Sequence, residues 1–233
     1  MPFFALIDPL YWIIALPALL LGLYAQYKVS STFDRYLKVP NARGVTGANA
    51  AQVLLRYAGL AHVGVEGTRG RLSDHYDPRT KVLSLSSAVA MAPSLASVAV
   101  VAHEVGHATQ DAENYGPMKL RSAIVPVVSL GSWLGPIIFI LGILASSPGL
   151  ALIGIIGFAS AAAFSLVTLP VELNASRRAM VLLQSTSVLS ETELPAARQV
   201  LNAAALTYVA ALMQALSTLL YYTLLVSGSR RRS

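Results

Sequence analysis

Three long segments without a charged residue constrain this chain more than any other feature. They cover residues 9–27, 122–171 and 199–229 of a sequence of 233 residues. A helix needs about 20 apolar residues to cross the hydrocarbon core of a membrane, so the first and last segments can each hold one span. The middle segment is long enough for two spans, and the sequence SSPG at 146–149 predicts a turn between them. The sequence therefore predicts four membrane-spanning helices.

The composition excludes several classes of protein. Hydrophobic residues make up 55% of the chain and charged residues only 12%, whereas about 25% of the residues in a soluble domain are charged. The apolar content excludes a disordered chain, and the absence of cysteine excludes a disulfide scaffold, a thiolate zinc site and a cysteine nucleophile. The net charge of +6 comes largely from basic residues that flank the apolar segments, so we expect no nucleic-acid partner.

These flanking basic residues also predict the orientation in the membrane. If four helices cross, most of the flanking residues lie on one side, which the positive-inside rule makes the cytoplasmic side. The arginines at 230–232 then lie on the other side, so the sequence leaves open whether the last helix crosses completely. The segment 1–8 has no lysine or arginine, which favours a retained anchor over a cleaved signal peptide. The residues assigned to the cytoplasmic side are Lys28, Arg35, Lys38, Arg43, Lys119, Arg121, Arg177 and Arg178.

The predicted fold is a mainly α membrane protein with about four transmembrane helices and a small α+β domain next to the membrane. Within the membrane hairpin, the pattern of small residues from Gly131 to Gly135 predicts close helix packing. This packing would join two spans of one subunit or, as the alternative, two subunits, and the sequence assigns no oligomeric state. The predicted parts are an N-terminal anchor (1–27), a cytoplasmic α+β domain (28–121), a transmembrane helical hairpin (122–171), a helical segment (172–198) and a last membrane helix with a basic tail (199–233).

The α+β domain has recognisable start and stop signals. Thr46 as an N-cap and Gly59 as a stop predict a short amphipathic helix between them. Alternation over 62–66 predicts a strand, and the turn sequence DPRT at 77–80 predicts a β-hairpin between 71–76 and 81–86. Ser94 then caps a helix that extends to about residue 111.

A His-Glu-x-x-His motif lies on this last helix. His103 and His107 are four residues apart, so they lie one turn apart on one helix face, as two ligands of a tetrahedral zinc ion do. Glu104 lies beside them, where it can accept a proton from a zinc-activated water. The alternative is a pair of surface histidines, but the apolar run at 98–102 makes a solvated helix face unfavourable. We therefore expect Zn²⁺ as the cofactor.

A catalytic zinc site needs a third protein ligand. The other histidines are His62 and His75, both before the motif. Glu172 lies where the third span ends, and a carboxylate at a membrane boundary is costly unless it is paired, hydrated or metal-bound. Glu172 is therefore the favoured ligand, with an ion pair to Arg177 or Arg178 as its alternative role. Weaker ligand candidates are Asp74, Asp111 and Glu113.

Three segments together resemble a known family. The sequences SDHYDPR at 73–79, HEVGHATQ at 103–110 and PVELNASRR at 170–178 look like those of the YugP-type neutral zinc metallopeptidases of bacterial membranes. The similarity covers nearly the whole chain, including the four-span layout. A more distant likeness is to HtpX-type and CAAX-type membrane proteases, in which the position of Ser176 is usually Asp. The resemblance implies a zincin-like domain in which His103, His107 and Glu172 bind zinc and Glu104 is the catalytic base.

The expected function is that of a gluzincin-like metalloendopeptidase that cleaves membrane-associated or unfolded polypeptides at the cytoplasmic side of a bacterial cell membrane. An intramembrane zinc protease and a non-catalytic scaffold with a structural metal are the alternatives. Ser176 is a candidate hydrogen-bond partner of a zinc ligand, because it lies one turn from Glu172. Candidates for stabilising the oxyanion are His75, Tyr76, Arg177 and Arg178.

The segment 81–86 is predicted to be an edge strand that binds substrate. An extended peptide can add to a free sheet edge through backbone hydrogen bonds, which tolerates many side-chain sequences. The alternative is an internal strand that is already paired on both sides. The residues assigned to substrate binding are Val82, Leu83, Ser84 and Leu85.

Overall fold

The structure is a computed structural model that describes residues 8–230, with side chains through 227. The segment 1–7 and the arginines at 231 and 232 therefore lie outside the described residues. The described part of the chain forms seven helices and three strands. These are α1 (Pro9–Leu37), α2 (Gly47–Tyr57), β1 (Gly64–Thr68), β2 (His75–Asp77), β3 (Val82–Ser86), α3 (Ser87–Met91), α4 (Leu95–Ala112), α5 (Gly116–Leu144), α6 (Pro148–Thr186) and α7 (Leu194–Arg230).

Four of these helices are long and apolar enough to cross a membrane. They are α1, α5, α6 and α7, which confirms the number of spans predicted from the uncharged segments. α5 and α6 are separated by residues 145–147, so the turn lies where the SSPG sequence predicts it. α6 has 39 residues, about twice the length that a span requires, and it continues beyond the uncharged segment as a polar helix.

The chain divides into two compact units, which we call the membrane unit and the metal unit. The membrane unit contains residues 8–25, 120–169 and 207–230 of the described chain, and the metal unit contains 26–119 and 170–206. The four long helices α1, α5, α6 and α7 are therefore each divided, with one part in the membrane unit and the rest in the metal unit.

Within the membrane unit, α5 and α6 approach so closely that only glycine fits at several contact positions. A Cβ atom at Gly135 would lie 3.1 Å from the backbone carbon of Gly157, and one at Gly154 would lie 2.5 Å from the backbone nitrogen of Phe139. The small residues of 131–135 thus contact a helix of the same chain. This agrees with the prediction of close packing between two spans of one subunit.

The metal unit contains a three-stranded sheet in the order β1-β3-β2. β2 pairs antiparallel with β3, which confirms the predicted hairpin, although β2 has only three residues. β1 pairs parallel with the other side of β3. The prediction that Val82, Leu83, Ser84 and Leu85 form an edge strand is therefore wrong, because both sides of β3 are already hydrogen-bonded.

α4 is the central helix of the metal unit. Its first half is apolar except for Ser97, and Ala96, Val98, Ala99 and Val101 are fully buried. A helix that is apolar on every face has to be buried, which explains this position. The Ser94 hydroxyl caps the helix by accepting a hydrogen bond from the Ser97 N–H at 3.1 Å, as predicted. α4 therefore has a fixed start, and the His-Glu-x-x-His motif follows on its second half.

α2 also has its predicted ends. The Thr46 side chain accepts a hydrogen bond from the Asn49 N–H at 3.3 Å, and Gly59 follows the helix with a φ of +72°. Ala50, Ala51 and Leu54 on this helix are fully buried in the core of the unit.

Candidate metal centre

Three side chains of the metal unit converge on one point. His103 and His107 come from α4, and Glu172 comes from α6. Glu172 Oε2 lies 3.2 Å from His103 Nε2 and 3.4 Å from His107 Nε2. One ligand atom from each residue lies within 4.8 Å of the others. Glu172 is 2% exposed, so its side chain is almost completely enclosed.

The spacing and chemistry of these atoms fit a zinc ion. Ligands bound to zinc at about 2.0–2.1 Å and at tetrahedral angles are about 3.3–3.4 Å apart. The distances from Glu172 Oε2 to His103 Nε2 and His107 Nε2, 3.2 Å and 3.4 Å, match this separation. Two imidazole nitrogens and one carboxylate oxygen are also a ligand set of catalytic zinc sites, in which a fourth position stays open.

The remaining imidazole nitrogens also have partners. His107 Nδ1 lies 3.0 Å from Gln110 Oε1, and His103 Nδ1 lies 3.2 Å from the Ser176 hydroxyl. When Nδ1–H donates to such an oxygen, the lone pair on Nε2 is free to bind a metal. Ser176, one turn after Glu172 on α6, thus contacts one of the two histidines, in agreement with its predicted role as a hydrogen-bond partner.

Hydrogen bonds to α6 fix the orientation of the Gln110 side chain. It is fully buried, and its amide nitrogen donates to the Val171 carbonyl at 2.8 Å and to Asn174 Oδ1 at 2.9 Å. Both partners are on α6, beside Glu172. Because the amide nitrogen is used in this way, Oε1 faces His107 as an acceptor. Gln110 therefore connects a histidine on α4 to the segment that carries the carboxylate ligand.

Gly106 lets α6 approach α4 at the metal centre. A Cβ atom at this position would lie 2.6 Å from the Ala175 carbonyl oxygen and 3.3 Å from its Cα. Any larger residue would push the two helices apart. Gly106 lies between the two histidines in sequence, and Ala175 lies one turn after Glu172. This close approach therefore helps to bring His103, His107 and Glu172 together.

Glu104 is buried beside the ligands. Its Oε2 accepts a hydrogen bond from the Tyr76 N–H at 3.0 Å, and burial is the main cause that raises its pKa above the usual value for glutamate. Tyr76 is the middle residue of β2, and its hydroxyl donates to Asp111 Oδ2 at 2.7 Å. The sheet strand that hydrogen-bonds to Glu104 is therefore β2.

The arginines proposed as partners of Glu172 make other contacts. Arg178 donates to Glu113 Oε2 at 2.7 Å and to Asn174 Oδ1 at 2.8 Å. Arg177 Nε donates to the Leu173 carbonyl of its own helix at 3.4 Å. The geometry thus favours the ligand role of Glu172 over the ion-pair role.

The other candidates from the sequence also have separate partners. Asp111 pairs with Lys81 as well as with Tyr76, and Asp74 accepts a hydrogen bond from the Ser86 N–H at 2.6 Å. The exposed His75 has its Nδ1 2.8 Å from the Ser73 carbonyl oxygen. Among the described residues, the cluster that can hold a metal is His103, His107 and Glu172.

Comparison with known proteins identifies the family of this chain. A family model described as "Putative neutral zinc metallopeptidase" matches residues 11–227. The chain belongs to this family. It is also 43% identical over 221 residues to "Putative membrane protease YugP" of Bacillus subtilis (strain 168), a match that covers 95% of this chain and 98% of that protein. No solved structure matches the chain significantly.

Membership of this zinc metallopeptidase family confirms the resemblance seen in the three sequence segments. Its name implies zinc and a peptide substrate, and the four apolar helices indicate a multi-pass membrane protein. Sequence reasoning missed Gln110 and Gly106 as parts of the site. Gln110 follows His107 by three residues and so shares its helix face, a signal that could have identified it. The Tyr76 N–H is a backbone group, for which no residue type gives a signal.

Proposed function

We propose that this family member is a membrane zinc metalloendopeptidase with His103, His107 and Glu172 as ligands and Glu104 as general base. The observation that carries the proposal is one carboxylate oxygen that lies 3.2 Å and 3.4 Å from two imidazole nitrogens, with all three atoms within 4.8 Å of one another, a set that can hold one metal ion. Glu104, beside this set in sequence and buried, is the remaining acidic group of the motif.

Each residue has a distinct part in the proposed reaction. Zinc bound to the three ligands supplies Lewis acidity, which polarises the peptide carbonyl and makes water easier to deprotonate. Glu104 accepts the proton from water and transfers it to the leaving amine. The Tyr76 N–H orients the Glu104 carboxylate, while Gln110 and Ser176 orient the imidazoles of the two histidines. Of the residues predicted to stabilise the oxyanion, Arg178 is paired with Glu113 and the Tyr76 hydroxyl donates to Asp111. This role therefore stays a prediction for His75 or Arg177.

We further propose that the site faces the cytoplasm from a bacterial cell membrane. The metal unit contains most of the flanking basic residues, including Lys28, Lys38 and Lys119. An excess of lysine and arginine near the ends of membrane helices favours the cytoplasmic side. α4, which carries the motif, is not among the helices of the described chain that could span a membrane. This favours hydrolysis beside the membrane over hydrolysis within it.

Two substitutions test the assigned roles. In purified, detergent-solubilised protein, Glu104→Gln should keep bound zinc and lose hydrolysis of unfolded casein by at least about 100-fold, because a general base contributes about 10²–10⁴-fold. Glu172→Ala should lose zinc as well as activity, because two histidines alone leave the ion without its carboxylate. Zinc content is measured by elemental analysis, and casein cleavage by the release of labelled peptides.

The outcomes separate the alternatives. Full zinc occupancy in Glu172→Ala would remove Glu172 from the ligand set. Equal cleavage by Glu104→Gln and the unmodified protein would remove Glu104 as the base. A protein that binds zinc but shows no cleavage under any condition would instead support the non-catalytic scaffold.

A further inference from the structure

A large groove lies in the metal unit between the polar part of α6 and the beginning of α7. Its cavity volume is about 1030 Å³, and its walls are formed by residues between 173 and 184 and between 191 and 205. Ser176 is one of the wall residues, and its hydroxyl lies 3.2 Å from His103 Nδ1. One wall of the groove therefore reaches a metal ligand.

The groove wall is apolar along part of its length. Leu173 and Val181 on α6 are 41% and 62% exposed, and Leu194 of α7 lies on the opposite wall. Exposed apolar side chains in a concave surface are typical of a binding site, since the partner removes them from water. A partner that fits this groove must therefore offer apolar side chains.

The charge of the groove is positive. Arg177 and Arg198 both line it, against the single carboxylate of Glu191. Across the described residues, no carboxylate lies within ion-pair distance of either arginine. The neighbouring Arg178, by contrast, is already paired with Glu113. The two groove arginines are therefore available to an anionic group of a ligand.

We propose that this groove binds the polypeptide substrate and selects segments in which an acidic side chain accompanies apolar ones. Arg177 and Arg198 recognise the carboxylate, since the planar guanidinium donates paired hydrogen bonds to it. The inference rests on the proposed peptidase function, because it takes the occupant to be the substrate. The contact of the groove-wall residue Ser176 with His103 favours a substrate over a lipid headgroup, because it places the groove beside a residue of the metal centre.

The test measures binding and does not require hydrolysis. Full-length Glu104→Gln protein, loaded with zinc, is placed in nanodiscs of zwitterionic phosphatidylcholine. Two fluorescein-labelled 12-residue peptides are compared by anisotropy, one with leucine and glutamate among alanines and one with glutamine in place of each glutamate. Because a charge-assisted hydrogen bond between a guanidinium and a carboxylate is stronger than one to a neutral amide, we expect the glutamate peptide to bind at least about tenfold more tightly.

Substitutions in the groove identify the source of this preference. Arg177→Gln combined with Arg198→Gln should make the two affinities equal, and Arg177→Glu with Arg198→Glu should favour a third peptide that carries lysine. Arg56→Gln, which removes an exposed cation of α2 outside the groove, is the matched control and should keep the preference. Unchanged zinc content verifies that each variant retains the folded metal centre.

Several outcomes would overturn the inference. The first is equal affinity of the Glu104→Gln protein for the glutamate peptide and the glutamine peptide. The second is a preference for the glutamate peptide that survives when Arg177→Gln and Arg198→Gln are combined. Loss of the preference when anionic phosphatidylglycerol replaces part of the lipid would assign the groove to headgroups. Failure of the proposed function has a different signature, namely no casein cleavage by the unmodified protein while the peptide preference persists.

Discussion

At the scale of single residues, the two histidines of the candidate metal centre differ in the hydrogen bonds that orient them. The Gln110 side chain is fully buried and makes three hydrogen bonds, to His107, Val171 and Asn174. Ser176 makes a single longer contact with His103 and is only partly buried. Removing a buried group that bonds to several partners leaves each of them unsatisfied, whereas water can replace a partly exposed hydroxyl.

Gln110→Leu should therefore weaken zinc binding more than Ser176→Ala. The expected loss for Gln110→Leu is about 10–100-fold, which is the usual effect of removing a hydrogen-bond partner of a metal-binding histidine. Competition with a fluorescent zinc chelator measures the affinities of both variants. Equal losses would contradict the predicted difference, and an unchanged affinity of Gln110→Leu would show that its buried hydrogen bonds do not orient His107.

The residues of the site differ in how far the sequence could predict them. His103, Glu104 and His107 could be assigned from the sequence because helical periodicity alone brings them together. Glu172 is 65 residues after His107 and could be selected only from the shortage of other ligands and the cost of a carboxylate at a membrane boundary. The partners of Gln110 could not be predicted, because they exist only where α6 contacts α4.

At the scale of secondary-structure elements, the crossing of α4 and α6 depends on Gly106. We expect Gly106→Ala to destabilise the protein by about 1–3 kcal/mol, the usual cost of inserting a methyl group into a filled contact. The added Cβ would lie 2.6 Å from a backbone oxygen of α6, which cannot move as a flexible side chain can. Zinc affinity should fall together with stability, because the same helix carries Glu172.

The control for this prediction is Gly67→Ala. Gly67 lies on β1 in the same unit, and a Cβ atom there has no other atom within 4 Å. Thermal unfolding in detergent, measured with and without zinc, compares the two variants. If both have the same melting temperature and zinc content as the unmodified protein, the close approach at Gly106 is not required.

β2 is the second element that shapes the site. Its Tyr76 hydroxyl is bonded to Asp111 on α4, and its Tyr76 N–H is bonded to Glu104 on the same helix. Tyr76→Phe should loosen this strand and lower kcat about tenfold, which corresponds to about 1.4 kcal/mol, with little change in zinc content. Steady-state kinetics with a labelled peptide provides kcat and KM separately. An unchanged kcat would mean that Glu104 does not need the strand to be anchored.

The incorrect assignment of β3 has a physical cause. The hairpin with β2 could be predicted because its turn residues are local. The parallel pairing with β1 joins strands whose ends are separated by a longer connection, so no local signal specifies it. The burial of Leu83, Ser84, Leu85 and Ser86 on both faces is typical of an internal strand. In the sequence, however, the alternation of leucine and serine resembles a half-exposed strand.

At the scale of the whole molecule, the arrangement of apolar helices determines which segments share a side of the membrane. If α1, α5, α6 and α7 each cross once, residues 38–115 and 187–193 lie on one side, and residues 145–147 lie on the other. The two segments on the first side are parts of the metal unit. The flanking basic residues predict the same arrangement, because most of them lie on the side of the metal unit. The topology can be tested without knowledge of the substrate.

The chain contains no cysteine, so single introduced cysteines can report the topology directly. Lys38→Cys, just after α1, should resist a membrane-impermeant maleimide in intact cells and react once the cells are permeabilised. Ser147→Cys, between α5 and α6, should react from outside without permeabilisation. The physical reason is the positive-inside rule, which predicts a cytoplasmic position for the metal unit from its Lys28, Lys38 and Lys119. Labelling of Lys38→Cys from outside, with protection of Ser147→Cys, would invert the topology and place hydrolysis on the outer face.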